Sequence, residues 1–370
     1  MLSSFVGDSN QGVPKPSERE CTMTNKISGA PTKAESGARK SFSVSVIIPT
    51  FNRAQLVQRA IRSVLEQTRV PDEIVVVDDG STDNTPDVLA PFEDPVRIIR
   101  QANAGRSAAR NVGLREARGD LVAFLDSDDS LTPESIVTRI AAFDNDPDLG
   151  AVYSDVWLDD GENEAAARFS TIYPVSFPSG TILAELAQRC FIVLSSVMFR
   201  RDIAIEHRVL FDESIGLAED HDFWLRLATL CRFQYINQPL ARYRIPADAD
   251  ISLSQWGMPS VSADTYGPEL KKHDIMVQRR FMGTSAFQSL SGVERARVHC
   301  SHGSKNMLAD DARAARQSLC DAVRAAPACP TGWALLGLSL LGRRPFEFAV
   351  RLRRRMIRLA HKVACRREAG

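Results

Sequence analysis

No apolar run in this chain of 370 residues approaches the roughly 20 needed to cross a bilayer; the longest candidate, Trp333 to Leu341, falls far short. The N-terminus lacks the apolar core of a secretory signal, so secretion is not expected. There is no C-x-x-C pair. The seven cysteines, Cys21, Cys190, Cys231, Cys300, Cys320, Cys329 and Cys365, are scattered and odd in number, which argues against a disulfide framework or zinc site and for reduced thiols in a cytosolic setting. Net charge is absent as well: 46 Lys+Arg balance 46 Asp+Glu, so no basic field marks a general nucleic-acid binder. No G-x-G-x-x-G follows the first apolar run and no G-x-x-x-x-G-K-[ST] occurs, which removes the dinucleotide fingerprint and the P-loop. None of the six histidines forms a metal-spaced pair, and His299 and His302 read as members of a solvated helical face.

What the chain does have is a hydrophobic content of 44%, enough for one large domain or two ordinary ones. Residues 1–41, rich in Ser, Gly, Pro, Lys and Glu, read as a disordered leader. From Ser43 the pattern changes. β-Branched runs at Val44–Ile48, Glu73–Val77, Val96–Ile99 and Leu121–Leu125 alternate with helical spacing at Leu56, Val57, Ala60, Ile61, Val64 and Leu65, and again at Ala108, Ala109, Val112 and Ala117. This is a doubly wound α/β pattern. Further strands are expected at Gly150–Trp157, Ile192–Phe199 and Phe233–Tyr243, with a helix starting near Glu219, so that the unit spans residues 42–250.

Chemistry collects at the strand ends, where open α/β sheets bind ligands. Asp126-Ser127-Asp128-Asp129 closes the fourth run. Gathered carboxylates repel unless a cation or strong donors offset them, so Asp126 and Asp128 suit a divalent metal bridging protein to a substrate phosphate; an exposed acidic turn leading into Thr132-Pro133-Glu134 is the plainer alternative. After the first strand comes Pro49-Thr50-Phe51-Asn52-Arg53, where Phe51 would stack on a flat base. After the second, Asp79, with Asp78 beside it, would accept from a base N–H. Arg106 and Arg110 would approach phosphate. Together these describe a nucleoside-diphosphate site.

Val44-Ser45-Val46-Ile47-Ile48-Pro49-Thr50-Phe51-Asn52-Arg53, Val77-Asp78-Asp79-Gly80-Ser81-Thr82-Asp83, Ala109-Arg110-Asn111-Val112-Gly113 and Phe124-Leu125-Asp126-Ser127-Asp128-Asp129, in that order, resemble the motifs of family 2 glycosyltransferases over about residues 43–245. The resemblance implies a GT-A fold with a doubly wound mixed sheet, a nucleotide-sugar donor (read as a UDP-sugar), a Mg²⁺ or Mn²⁺ ion, and inversion at the anomeric carbon. The family's D-x-D motif maps onto Asp126 and Asp128, its base-reading acid onto Asp79, and its catalytic pair onto Glu219 and Asp220, with Asp220 the expected general base. Phe51 stands where Tyr is common. The plainer reading of Glu219 and Asp220 is a helix start that complements the dipole. His221 reads as a spacer; Trp224 and Leu227 read as core.

The Q-x-x-R-W motif of processive synthases is absent, which points to transfer of one sugar per acceptor, in glycan or surface-polysaccharide assembly. A sugar-nucleotidyltransferase is the alternative from another enzyme class, but its Gly-rich loop after the first strand is missing. A catalytically inactive sugar-nucleotide-binding scaffold is a third reading, countered by the intact acids at 126, 128 and 220. Beyond a connection at 251–289, residues 290–342 read as a helical hairpin like one tetratricopeptide unit. Residues 343–370 read as a basic amphipathic helix with Leu352, Met356, Leu359, Ala360 and Val363 on one face. Such a helix fits peripheral contact with the inner face of the cell membrane, where a lipid-linked acceptor would sit.

Overall fold

The computed structural model describes residues 42–159, 167–172, 177–245, 268–353 and 356. The expected leader, the start of the connection (251–267) and most of the end of the basic helix (354–355 and 357–370) lie outside the described residues.

The described strands form one sheet in the order β3-β2-β1-β4-β8-β6-β9-β5, with β7 (Ala167–Arg168) on β6. β3 (Arg97–Arg100), β2 (Glu73–Asp78), β1 (Val44–Thr50) and β4 (Leu121–Phe124) run parallel. β8 (Val197–Arg200) is antiparallel to both β4 and β6 (Leu149–Asp159). β9 (Arg232–Arg244) is parallel to β6 and antiparallel to β5 (Ser130–Leu131). The expected mixed sheet is therefore present. β1 is central and wholly buried, which explains why its run VSVIIPT shows no polar alternation. Ile47, Val75 and Phe124 pack into the core on one face, whereas Val46, Ile48, Val76 and Ala123 pack on the other.

The strand expected from Ile192 begins only at Val197. Ser196 N–H donates to Val193 C=O at 2.9 Å, closing a 3₁₀ turn over Leu194–Ser196. The turn leaves the Ser195 hydroxyl to reach Asp129 rather than point along a ladder.

α1 (Ala54–Leu65) and α3 (Ser135–Asn145) pack against the second of these cores. α2 (Arg106–Glu116) lies against β1 and β2. Its close approach depends on Gly113, where a Cβ would sit 2.3 Å from Ile47 Cγ2. α4 (Leu183–Gln188) and α5 (Glu219–Ala228) cover the same face as α2.

Four longer helices complete the described chain: α6 (Pro268–Met282), α7 (Gly292–Leu308), α8 (Ala312–Ala325) and α9 (Pro330–Leu340), followed by helical residues 343–353. Three helices thus occupy 290–342 where the sequence suggested two. Pro330 opens α9, a position that needs no backbone N–H. His302 is buried, its Nδ1 2.8 Å from Ser318 Oγ, because α7 packs on α8 there; the expected solvated face is not found at this residue. Val277, Phe281, Phe287 and Val298 join the core that covers β1, β2 and β4. α6 and α7 are therefore glued to the sheet by apolar burial, and α8 and α9 pack on α7 in a cluster of their own. Phe281→Ala should cost about 3–5 kcal/mol. It should lower the midpoint of one cooperative unfolding transition; a separate early transition confined to the tail in calorimetry would contradict the shared core.

Candidate active site

The carboxyl ends of β2, β1 and β4 lie side by side, so their turns form one surface. Pro49 and Thr50 end β1, paired with Val77 and Asp78. Thr50 C=O accepts from Asp79 N–H at 2.9 Å, while the buried Thr50 hydroxyl finds no partner among the described residues. Phe51 is 43% exposed beside them, free to stack on a planar ligand. Asn52 adopts a left-handed backbone (φ 51°). Its Oδ1 accepts from Thr82 N–H at 2.7 Å and Asp83 N–H at 3.3 Å, tying the β1 and β2 turns together. Asp78 Oδ1 accepts from Ser81 N–H at 3.0 Å. Asp79 is more heavily engaged: Gln101 Nε2 (2.7 Å) and Ala104 N–H (2.9 Å) donate to Oδ1, and Gly105 N–H (2.9 Å) donates to Oδ2. This carboxylate braces the loop that leads into α2. Gly80, at φ 76°, permits the turn, since a Cβ there would lie 2.7 Å from Asn103 N.

Arg110 joins the elements. Buried on α2, it donates from Nη2 to Asp126 Oδ1 at 2.7 Å and from Nη1 to Glu219 Oε1 at 2.6 Å, with its guanidinium 5.3 Å from the Phe211 ring centre. Burial opposes its charge, but the two carboxylates outweigh burial and raise its pKa. Arg106 is more exposed, with Nη1 3.8 Å from Glu219 Oε1. Arg53 pairs with Asp128 across the β1 and β4 turns. The expected nucleotide-site residues thus converge, but Arg110 reads first as a bridge between acids, a role the sequence did not disclose.

The three aspartates after β4 divide. Asp126 and Asp128 stay partly exposed, with side chains at 28% and 24%. Asp129 is buried, accepting from Ser195 Oγ at 2.5 Å and Arg244 N–H at 2.9 Å. Burial, reinforced by Asp126 and Asp128, pushes its pKa well above the usual carboxylate range. Among the described residues no three His, Cys, Asp or Glu side chains gather tightly enough to hold a metal alone. Asp126 and Asp128 nevertheless fit a hard cation. Both carboxylates are reachable, both already draw arginines, and Mg²⁺ or Mn²⁺ commonly takes one or two protein carboxylates and fills its shell with phosphate and water.

Glu219 and Asp220 open α5 after Ala218, which is left-handed at φ 62°. Glu219 faces Arg110. Asp220, half-buried, accepts from His221 N–H at 2.8 Å, and its pKa rises to about 6, chiefly through burial and then the charge of Glu219, against the pull of Arg110 and His221. Trp224 and Leu227 are core, as expected. His221 is more than a spacer: Nδ1 lies 3.1 Å from Asp274 Oδ1 and Nε2 2.8 Å from Leu186 O. Its partners lie far along the chain, and no local motif announces them.

Removing the guanidinium would leave Asp126 and the buried Glu219 facing each other with only the exposed Arg106, 3.8 Å from Glu219, for a cation. Arg110→Met should therefore cost about 3–5 kcal/mol in denaturant unfolding. Arg110→Lys should recover only part of this, because one ammonium cannot fork to both carboxylates. Wild-type stability in Arg110→Met would show that the bridge is dispensable.

A family model described as glycosyl transferase family 2 matches residues 45–208. A glycosyltransferase of Nostoc sp., itself uncharacterized, is 36% identical over 166 residues, covering 43% of this chain and 51% of that one. The chain spans between 33% and 51% of the length of the first relatives it matches. Residues 1–349 of TarS from S. aureus, solved in complex with UDP-GlcNAc, align with a TM-score of 0.55 at 17% identity, over 87% of this chain and 92% of that one. A mannosyltransferase from Pyrobaculum calidifontis, in complex with GDP-Man and Mn²⁺, aligns with a TM-score of 0.52 at 19% identity, over 87% and 86%. With its parallel strand ends and the acids they carry, the domain that contains residues 45–208 belongs to glycosyl transferase family 2 and has the GT-A fold.

Proposed function

We propose that this chain transfers one sugar from a nucleoside-diphosphate sugar, read as a UDP-sugar, to an acceptor hydroxyl with inversion. The observation that carries the reading is Arg110, which draws the D-x-D acid Asp126 and the pair Glu219-Asp220 into one site from opposite ends of the domain. Phe51 would stack on the base and Asp79 would hold the loop that borders it. Asp126 and Asp128 would hold Mg²⁺ or Mn²⁺, which when bound would neutralise charge developing on the leaving diphosphate. Arg53 lies beside Asp128 and is placed to turn toward a phosphate once a cation takes its partner. Asp220 acts as general base: the acceptor oxygen attacks the anomeric carbon, its proton passes to the Asp220 carboxylate, and the bond from that carbon to the diphosphate oxygen breaks with its electron pair. A pKa of about 6 leaves Asp220 mostly ionised at neutral pH yet basic enough to accept a proton. Glu219, committed to Arg110, orients rather than accepts.

The acceptor is read as a glycan or lipid-linked hydroxyl. Among the described residues no helix is long and apolar enough to cross a membrane. Exposed Phe348 and Leu352, one helical turn apart among arginines, support contact of this segment with an anionic lipid surface.

A panel of nucleotide sugars with and without Mn²⁺ tests the donor reading. The cognate donor should raise Tm only with metal, and nucleoside diphosphate should be released on turnover. Asp128→Ala should lose the metal-dependent part of that shift. Stabilisation without any release would instead favour a binding scaffold.

Asp220→Asn should abolish transfer yet stabilise the fold. The carboxyl binds its proton more tightly folded (about 6) than unfolded (near 3.8), so ionising it costs the native state free energy as pH rises through this window. The variant should gain on the order of 1–3 kcal/mol at about pH 8, with the gain vanishing below about pH 4. Full activity in Asp220→Asn, or a gain that grows toward acid, would defeat the assignment.

A further inference from the structure

Helices α6 and α7 reach the catalytic pair through a partly buried polar chain. α6 supplies Asp274, whose Oδ1 lies 3.1 Å from His221 Nδ1 and whose Oδ2 lies 2.6 Å from Lys305 Nζ of α7. Lys305 also donates to Gln188 C=O at 3.2 Å. Gln278 Nε2 donates to Ala187 C=O and Gln188 C=O, each at 2.8 Å, and Ser301 Oγ donates to Gln188 C=O at 2.7 Å. The carbonyls that end α4 are thus capped by α6 and α7. His221 is held between two oxygens, Asp274 Oδ1 and the Leu186 carbonyl, that only accept when Asp274 is ionised, a geometry a doubly protonated ring satisfies at both ends. Asp274 is 28% exposed at its side chain; burial opposes its charge, but Lys305 and His221 outweigh burial and hold its pKa well below the usual range.

We propose that Asp274 and Lys305 are positioning residues for Asp220: through His221 they clamp the start of α5 and keep a positive charge beside the base. The proposal deepens the reading of Asp220 as general base and rests on it. The neighbours that set the base's charge come from every side. They are Glu219 and His221 on its own helix, Arg110 from α2, and Cys190 from the turn after α4. Asp274 and Lys305 stand behind His221, and His302 stands near Lys305 on α7. Of these, Asp274 alone reaches a His221 ring nitrogen with a side-chain carboxylate among the described contacts. Replacing it by a neutral amide removes the carboxylate that faces the ring and weakens the positive influence of His221 on Asp220.

The test compares full-length wild type, Asp274→Asn and Asp274→Glu by kcat and donor KM across pH. Transfer needs ionised Asp220, so the acid limb of kcat should move upward by about one pH unit in Asp274→Asn. Donor KM should stay within about twofold, as the change touches the transition state rather than donor binding. Asp274→Glu should return the limb toward wild type. An unmoved limb, or a loss in kcat of the same size at every pH, would reduce the contact to ordinary packing. If Asp274→Asn does not fold, His221→Gln carries the same test: it keeps neutral hydrogen bonding but no charge, and an unmoved limb there overturns the proposal. A ¹³C NMR titration of the Asp220 carboxyl, assigned with Asp220→Asn, separates the two readings. Its midpoint should rise in Asp274→Asn with no substrate present, and an unmoved midpoint overturns the positioning role. A wild type that transfers no sugar but shows the midpoint shift would defeat the functional reading and leave the electrostatic clamp standing.

Discussion

One buried guanidinium holds the acidic side of this site together. Arg110 receives Asp126 from the end of β4 and Glu219 from the start of α5, so two segments distant in sequence share one cation. Its burial is costly by itself and is offset only while both carboxylates stay within hydrogen-bond reach. That requirement constrains the neighbourhood. α2 must lie close on β1, which Gly113 permits one helical turn beyond Arg110, and α5 must start at Ala218 in a conformation that non-glycine residues rarely adopt.

The four-residue acidic turn shows how position decides the fate of identical side chains. Asp126 and Asp128 remain reachable and pair with arginines, whereas Asp129 turns inward. There its carboxyl ties the Ser195 turn before β8 to Arg244 at the end of β9. The inward acid serves the fold by joining the turns at three strand ends. Three negative charges within four residues would not persist without this division of labour between burial with donors and exposure with cations.

Much of this was legible in the sequence, and the parts that were not have identifiable physical causes. β1 to β4 are short β-branched runs ended by turn residues, signals contained within a few residues, and their parallel order follows from the helices between them. Ile192–Phe199 carries the same apolar signal, yet the hydroxyl of Ser195 and the backbone of Ser196 are captured by a turn, so only its last residues extend. Asp79 was visible as a strand-end acid; its engagement with the 101–105 loop was not, because backbone N–H groups leave no trace in a sequence. The burial of Phe281 and His302 was hidden for a related reason. Helical spacing shows which residues share a face, but not which core that face will meet.

Glu219 and Asp220 carry the last consequence of Arg110. Neighbours on a helix point about 100° apart, so one cation cannot serve both. Glu219 takes the guanidinium at 2.6 Å, and Asp220 is left with burial and the charge of its neighbour, which together raise it to about 6. Glu219 is thereby fixed as an anchor by its ion pair, and Asp220 is left able to exchange a proton. Under the proposed mechanism the anchor and the proton acceptor are products of the same contact. Beyond Arg110, tuning of the base comes through His221, which α6 meets with Asp274 and α7 backs with Lys305.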